Sequence, residues 1–181
     1  MTVTISDAGI VFADASSQPT ALTTGAQTIS GQKTFALVPN VTAAQSMVRL
    51  NTANGYGSAS ICIKRYTNTV TNQGSDITYA DSATLGASFT INTNGVYAIS
   101  ISTIAASSPV SGISLNTTAP ATSVANIPVA ERLNNGNSSG GNTASCSWIG
   151  YLPSGSVIRP HCDGAATNSA ANEQFTITRV A

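Results

Sequence analysis

The sequence predicts an all-β protein, a sandwich of short strands preceded by an extended N-terminal arm, and three observations carry that expectation. Residues 86–104, GASFTINTNGVYAISISTI, hold two alternating runs around a Gly-containing turn: Ala87, Phe89 and Ile91 share one parity, and Tyr97, Ile99 and Ile101 resume the period beyond it. From Gly55 onward, β-like runs recur between turn-rich segments at the spacing of a sandwich, without helical periodicity. Charged residues are only 8% of the chain against 41% hydrophobic, so Ser, Thr, Asn, Ala and Gly must keep the turns and surfaces solvated.

The 181 residues suit one compact domain with an appendage. Residues 1–55 read as the appendage, with β-like snippets at 2–5, 10–12, 28–31 and 33–38. A short helix is expected at 43–50, with Thr42 as its N-cap and Met47, Val48 and Leu50 as an apolar stripe. Such pieces bury no core of their own. The arm therefore needs a partner surface, either copies of itself or a larger particle, and Val11, Phe12, Phe35 and Leu37 are its expected contacts.

Residues 56–181 read as the sandwich, with strands expected at 60–65, 77–79, the two runs of 86–104, 112–116, 127–133, 144–152, 157–161 and 174–180. Between them, NNGNSSGGN at 134–142 and AATNSAAN at 165–172 read as loops that solvate their own backbone. Residues 86–104 read as a β-hairpin with one face buried, and parity sets its register. A two-residue Asn94-Gly95 loop places Ile91 opposite Ala98 and mixes the faces, whereas a three-residue loop pairs Ile91 with Tyr97 and Phe89 with Ile99. The sequence thus predicts a three-residue turn with Gly95 in the left-handed region.

Several function classes are disfavoured. Zero net charge and seven scattered Lys and Arg give nucleic acid nothing to bind. No apolar run approaches the roughly 18 to 20 residues of a membrane span, so no membrane insertion is expected. The opening MTVTISDAGIVFADASS lacks a basic region followed by an apolar core, which points to folding in a reducing cytoplasm. Cys62, Cys146 and Cys162 form no CxxC spacing and are odd in number, as buried free thiols would be.

His161, the only histidine, stands in Arg159-Pro160-His161-Cys162-Asp163, and strand alternation sends it and Cys162 to opposite faces. Only symmetry-related copies meeting on a threefold axis would gather several such side chains. Asp76 and Asp81 lie in a loop-like stretch and read as turn caps, so the paired acids of a glycosidase are not in view. Gly31-Gln32-Lys33 lacks the context of a phosphate-binding loop. Trp148 shares parity with Cys146 and Leu152, which favours core packing over sugar stacking; Tyr151 has the opposite parity. No catalytic residue, cofactor or metal is expected.

Two resemblances add to this reading. GIVFADASSQPTA and QTISGQKTFALVPNV resemble segments that recur in tailed-bacteriophage fibre proteins, where they link a virion anchor to a distal head; Gln27 to Phe35 is the more specific phrase. Phe89-Thr90 before Gly95-Val96-Tyr97, and Leu152-Pro153-Ser154-Gly155-Ser156-Val157, resemble motifs of the C1q and tumour-necrosis-factor-like jelly roll, with Ser156 in place of the usual Asp. A closing strand with Phe175, Ile177 and Val180 fits the same pattern. The resemblance implies a jelly-roll β-sandwich and a homotrimer.

The expectation is a non-enzymatic structural virion protein, assembled in the host cytoplasm: a short homotrimeric phage head fibre or tail fibre. Residues 1–55 attach it to capsid or tail proteins, and residues 56–181 present a head to a host surface glycan or protein through weak, multivalent contact. The alternative is a capsid decoration or cement protein that binds no receptor, and an enzyme comes third.

Overall fold

The computed structural model describes residues 4–6, 9–11, 17–18, 46–104, 109–116, 123–138, 142–163 and 173–181. The chain divides into two units, Met1–Thr42 and Ala43–Ala181. The first holds three short antiparallel strands in the order β1 (Thr4–Ser6), β2 (Gly9–Val11) and β3 (Ser17–Gln18). Ile5 pairs with Ile10, and Ile10 with Gln18 on its other side. The runs expected at 28–31 and 33–38 lie outside the described residues.

The second unit is the sandwich. Its described strands are β4 (Met47–Gly57), β5 (Ser60–Gln73), β6 (Ile77–Ser82), β7 (Gly86–Ile91), β8 (Gly95–Ile104), β9 (Val110–Leu115), β10 (Arg132–Asn137), β11 (Thr143–Leu152), β12 (Val157–Cys162) and β13 (Gln174–Arg179), with one 3₁₀ turn at Val124–Asn126. One layer runs β5-β4-β13-β8-β11 and the other β10-β9-β12-β7-β6, and every pairing is antiparallel. The layers join at a corner where His161 of β12 pairs with Ile63 of β5.

Alternation builds the core. Val48, Leu50, Tyr97, Ile99, Ile101, Phe175 and Ile177 of the first layer face Ile77, Phe89, Ile91, Ile113 and Ile158 of the second, all buried. Phe89 lies between the rings of Phe175, 4.4 Å away in the facing layer, and Tyr79, 5.1 Å away on β6. Each such side chain contributes about 1.5–3 kcal/mol through removal from water. A smaller apolar group, Val124 and Ile127 with Val110, covers the other face of β9 at one end.

Four expectations need correction. Residues 86–104 do not form a hairpin: β7 pairs with β6 and β12, while β8 pairs with β13 and β11. The two runs bury their apolar faces as expected, but against each other across the core, an arrangement that parity cannot distinguish from a shared sheet. The chain changes layer at residues 92–94, where Tyr97 Oη donates to the Thr93 carbonyl at 2.7 Å and the Ser154 amide to Asn94 Oδ1 at 2.7 Å. The real hairpin is β6–β7, with Gly86 at φ 79° closing its turn and Ser82 Oγ accepting from the amides of Thr84 and Leu85.

Residues 47–50 are strand, not helix. Val48 and Leu50 are buried at a spacing of two, because β4 is hydrogen-bonded on both sides, to β13 and β5, and that pairing overrides the local helical pattern. With β4 inside the sandwich, the division between the two parts falls after Thr42 rather than at 55/56. The strand expected at 127–133 is instead a turn that leads into β10 at Arg132.

Candidate functional site

Gly95 begins β8 and is absent from the left-handed glycines, which are Gly55, Gly74, Gly86 and Gly155. Its constraint is steric: a Cβ there would meet the carbonyl oxygen of Ala181 and, at 2.7 Å, Arg179 Nε. Among the expected arm contacts, Val11 lies on β2 paired with Thr4 and Ser17, while Phe12, Phe35 and Leu37 lie outside the described residues. Of the two polar loops, residues 134–137 belong to β10, and residues 139–141 and 165–172 lie outside the described residues.

His161 and Cys162 point to opposite sides of β12, as alternation requires. His161 Nε2 lies 2.7 Å from Ser114 Oγ, both residues being wholly buried, and His161 Nδ1 has no partner. Burial, reinforced by the positive charge of Arg159, pushes the histidine pKa from 6.5 down to about 3. A hydroxyl beside a neutral imidazole has the composition of a nucleophile–base pair, but no solvent or substrate reaches it, and it serves as buried hydrogen bonding. Cys62, Cys146 and Cys162 are free thiols. Burial raises all three, and Cys62, with Asp163 at 3.4 Å, is pushed up to about 12, so they stay protonated and unreactive.

Each described aspartate has side-chain or main-chain partners. Asp76 accepts from Ser46 Oγ at 2.9 Å and from Arg179 at 3.3 Å, and hydrogen bonds from Thr93, Ser46 and Arg179 hold its pKa below the usual value. Asp81 takes Arg65 at 2.7 Å. Asp163 accepts from Ser123 Oγ and the Val124 amide and so caps the 3₁₀ turn. Among the described residues no three His, Cys, Asp or Glu gather as a metal site. Trp148 packs against the core, whereas Tyr151 is 62% exposed.

Among the described residues, a further exposed feature is the outward face of the β13-β8-β11 sheet. Register aligns its side chains in rows: Gln174, Ser102 and Ser145; Thr176, Ser100 and Ser147; Thr178, Ala98 and Ile149; then Val96 beside Tyr151. Neither β8 nor β11 contains a charged residue. Ile149 is 67% exposed, and a depression of about 370 Å³ lies along Ala98, Ser100, Ser147, Ile149, Thr176 and Thr178. Small hydroxyls with little side-chain entropy to lose, set beside exposed Ile and Tyr, make a flat surface suited to close contact with another protein surface. The contacts expected from the sequence lie in the arm and not on this face. Its signal was available in the outward parity of β8 and β11, which reads Val, Ala, Ser, Ser, Ile and Thr, Ser, Ser, Ile, Tyr.

The topology defines the class: an antiparallel jelly roll of the kind found in tumour-necrosis-factor-like proteins. The crystal structure of murine APRIL at pH 8.0 superposes with a TM-score of 0.54 at 13% identity, covering 75% of this chain and 99% of that one. The pH 8.5 structure gives 0.54 at 12%, and the pH 5.0 structure 0.50 at 12%, with the same coverage. At such identity the likeness is one of fold. No protein-family model and no curated protein sequence matches the chain.

Proposed function

We propose that this chain is a non-enzymatic, homotrimeric structural protein, a short phage fibre whose jelly-roll heads pack through the outward β13-β8-β11 face and whose N-terminal segment attaches it to the virion. The observation that carries the reading is the absence of charge from β8 and β11, whose outward rows can be buried with few long side chains to immobilise, while Arg49 of β4 borders the face with its guanidinium donating to Gln174 Oε1 at 3.1 Å. The tumour-necrosis-factor-like fold supports the trimer, and the phrase from Gln27 to Phe35 supports the phage assignment. Three linked heads then turn weak contacts with a host surface glycan or protein into firm attachment.

Sedimentation equilibrium of the full-length protein at micromolar concentration tests the assembly. The wild type is expected to be a trimer and Ser100→Arg a folded monomer, because the arginine is harmless on an exposed strand but unpaired in an interface. A monomeric wild type, or a trimer indifferent to this substitution, counts against the proposed face. Incorporation into particles that requires residues 1–42 supports the attachment role, and incorporation of residues 43–181 alone reverses it.

A further inference from the structure

We propose that Lys64 and Glu173 condense into an intramolecular isopeptide bond, lysine Nζ joined to glutamate Cδ with loss of one water. The chain contains only two lysines, Lys33 and Lys64, and two glutamates, Glu131 and Glu173. One of each is placed in the interior, with Nζ 2.9 Å from Oε1 and neither side chain exposed. A buried ion pair is a poor way to fill a core unless every lone pair is matched. This one is not: Glu173 Oε2 is buried without a hydrogen-bond partner. An amide removes both charges and the orphan oxygen in one step.

The surrounding donors suit acyl chemistry. Besides Nζ, Oε1 accepts from Thr103 Oγ1 at 3.0 Å and from the Ile104 amide at 2.9 Å. A hydroxyl and a main-chain N–H aimed at one carboxyl oxygen stabilise the negative charge that gathers there in a tetrahedral adduct. The Tyr56 ring, 5.2 Å from Nζ, covers the amine. The fold itself holds nucleophile and acyl group together, from positions 109 residues apart in sequence.

The step balances without an oxidant or co-reactant. A proton passes from the ammonium to Oε2 of the carboxylate, which frees the Nζ lone pair. The Nζ lone pair attacks Cδ, and the carbonyl electron pair moves to Oε1. The adduct then collapses by breaking Cδ–Oε2, and Oε2, with the first proton and one more from nitrogen, leaves as water. The product ties β5 covalently to the start of β13.

Intact-mass measurement of the purified full-length protein under denaturing conditions reads the bond directly. The mass is expected to fall one water below that of the sequence, with any loss of the initiator methionine accounted for. Proteolytic mapping is expected to return a branched species in which the segment bearing residue 64, uncut by trypsin at that lysine, stays joined to the segment bearing residue 173. Lys64→Met, an unbranched apolar replacement of similar length, is expected to restore the sequence mass. A wild-type mass equal to the sequence mass after prolonged incubation overturns the proposal, as does a one-water deficit that maps elsewhere. The wild-type measurement is decisive even if the variant does not fold.

Discussion

Substituting His161 with glutamine isolates the response of this sandwich to acid. In the folded chain the imidazole is buried against Ser114 and its pKa is pushed from 6.5 down to about 3, by burial first and by Arg159 second. The unfolded chain takes up a proton near the ordinary value, which the folded chain refuses until far lower pH. Between those limits the unfolded state binds more protons, so stability rises with pH. The contribution is fully present above the unfolded value of 6.5 and is lost progressively as pH falls toward 3. At about 1.4 kcal/mol per unit, the loss across the window is on the order of 3 to 5 kcal/mol. That is a large share of the roughly 5–15 kcal/mol that holds a domain folded. Asp76, whose pKa is lowered, acts only below its ordinary 3.8 and so stays out of most of this window. Urea unfolding at a series of pH values from neutral to mildly acidic is the assay, because glutamine reaches Ser114 with its amide but does not titrate. The wild type is expected to lose stability steadily over this range and His161→Gln to be nearly flat. Parallel curves would show that protonation of the buried imidazole is not what acid attacks.

Two other substitutions test the packing. Gly95→Ala is expected to cost about 1–3 kcal/mol in thermal or urea unfolding, because its methyl group meets Ala181 and Arg179. Gly95→Asn should fare no better, and rescue by asparagine would mean a left-handed residue after all. Phe89→Ala removes the ring between Phe175 and Tyr79 and is expected to destabilise by about 3–5 kcal/mol; a loss under about 1 kcal/mol would show that the two layers do not depend on this stack.

Strand faces were legible in the sequence where strand partners were not. Alternation picked out Phe89, Ile91, Tyr97, Ile99 and Ile101 as core, placed Trp148 inward with Leu152, and separated His161 from Cys162, because side-chain direction follows from local geometry alone. Which strand lies beside which is decided by contacts distant in sequence. A pair of alternating runs with a glycine between them therefore looked like a hairpin although the chain changes layer there. Residues 47–50 show the same limit: Met47, Val48 and Leu50 satisfy a helical stripe, and only hydrogen bonding to β13 and β5 makes them a strand. The Lys64–Glu173 pair left no trace in local pattern, since 109 positions separate the partners.

The last of the described strands, β13, lies between β4 and β8, hydrogen-bonded on both sides. During synthesis this has a consequence for timing. Every other strand of that layer leaves the ribosome first, and at ordinary elongation rates roughly 4 to 14 seconds pass between the end of β8 and the arrival of β13. Through that interval the facing edges of β4 and β8 have no strand between them, open to neighbouring nascent chains on the same message. Loss of β13 would therefore remove the centre of a sheet rather than an edge. Slow release or crowding on the message should appear first as strand exchange between copies, before it appears as loss of fold.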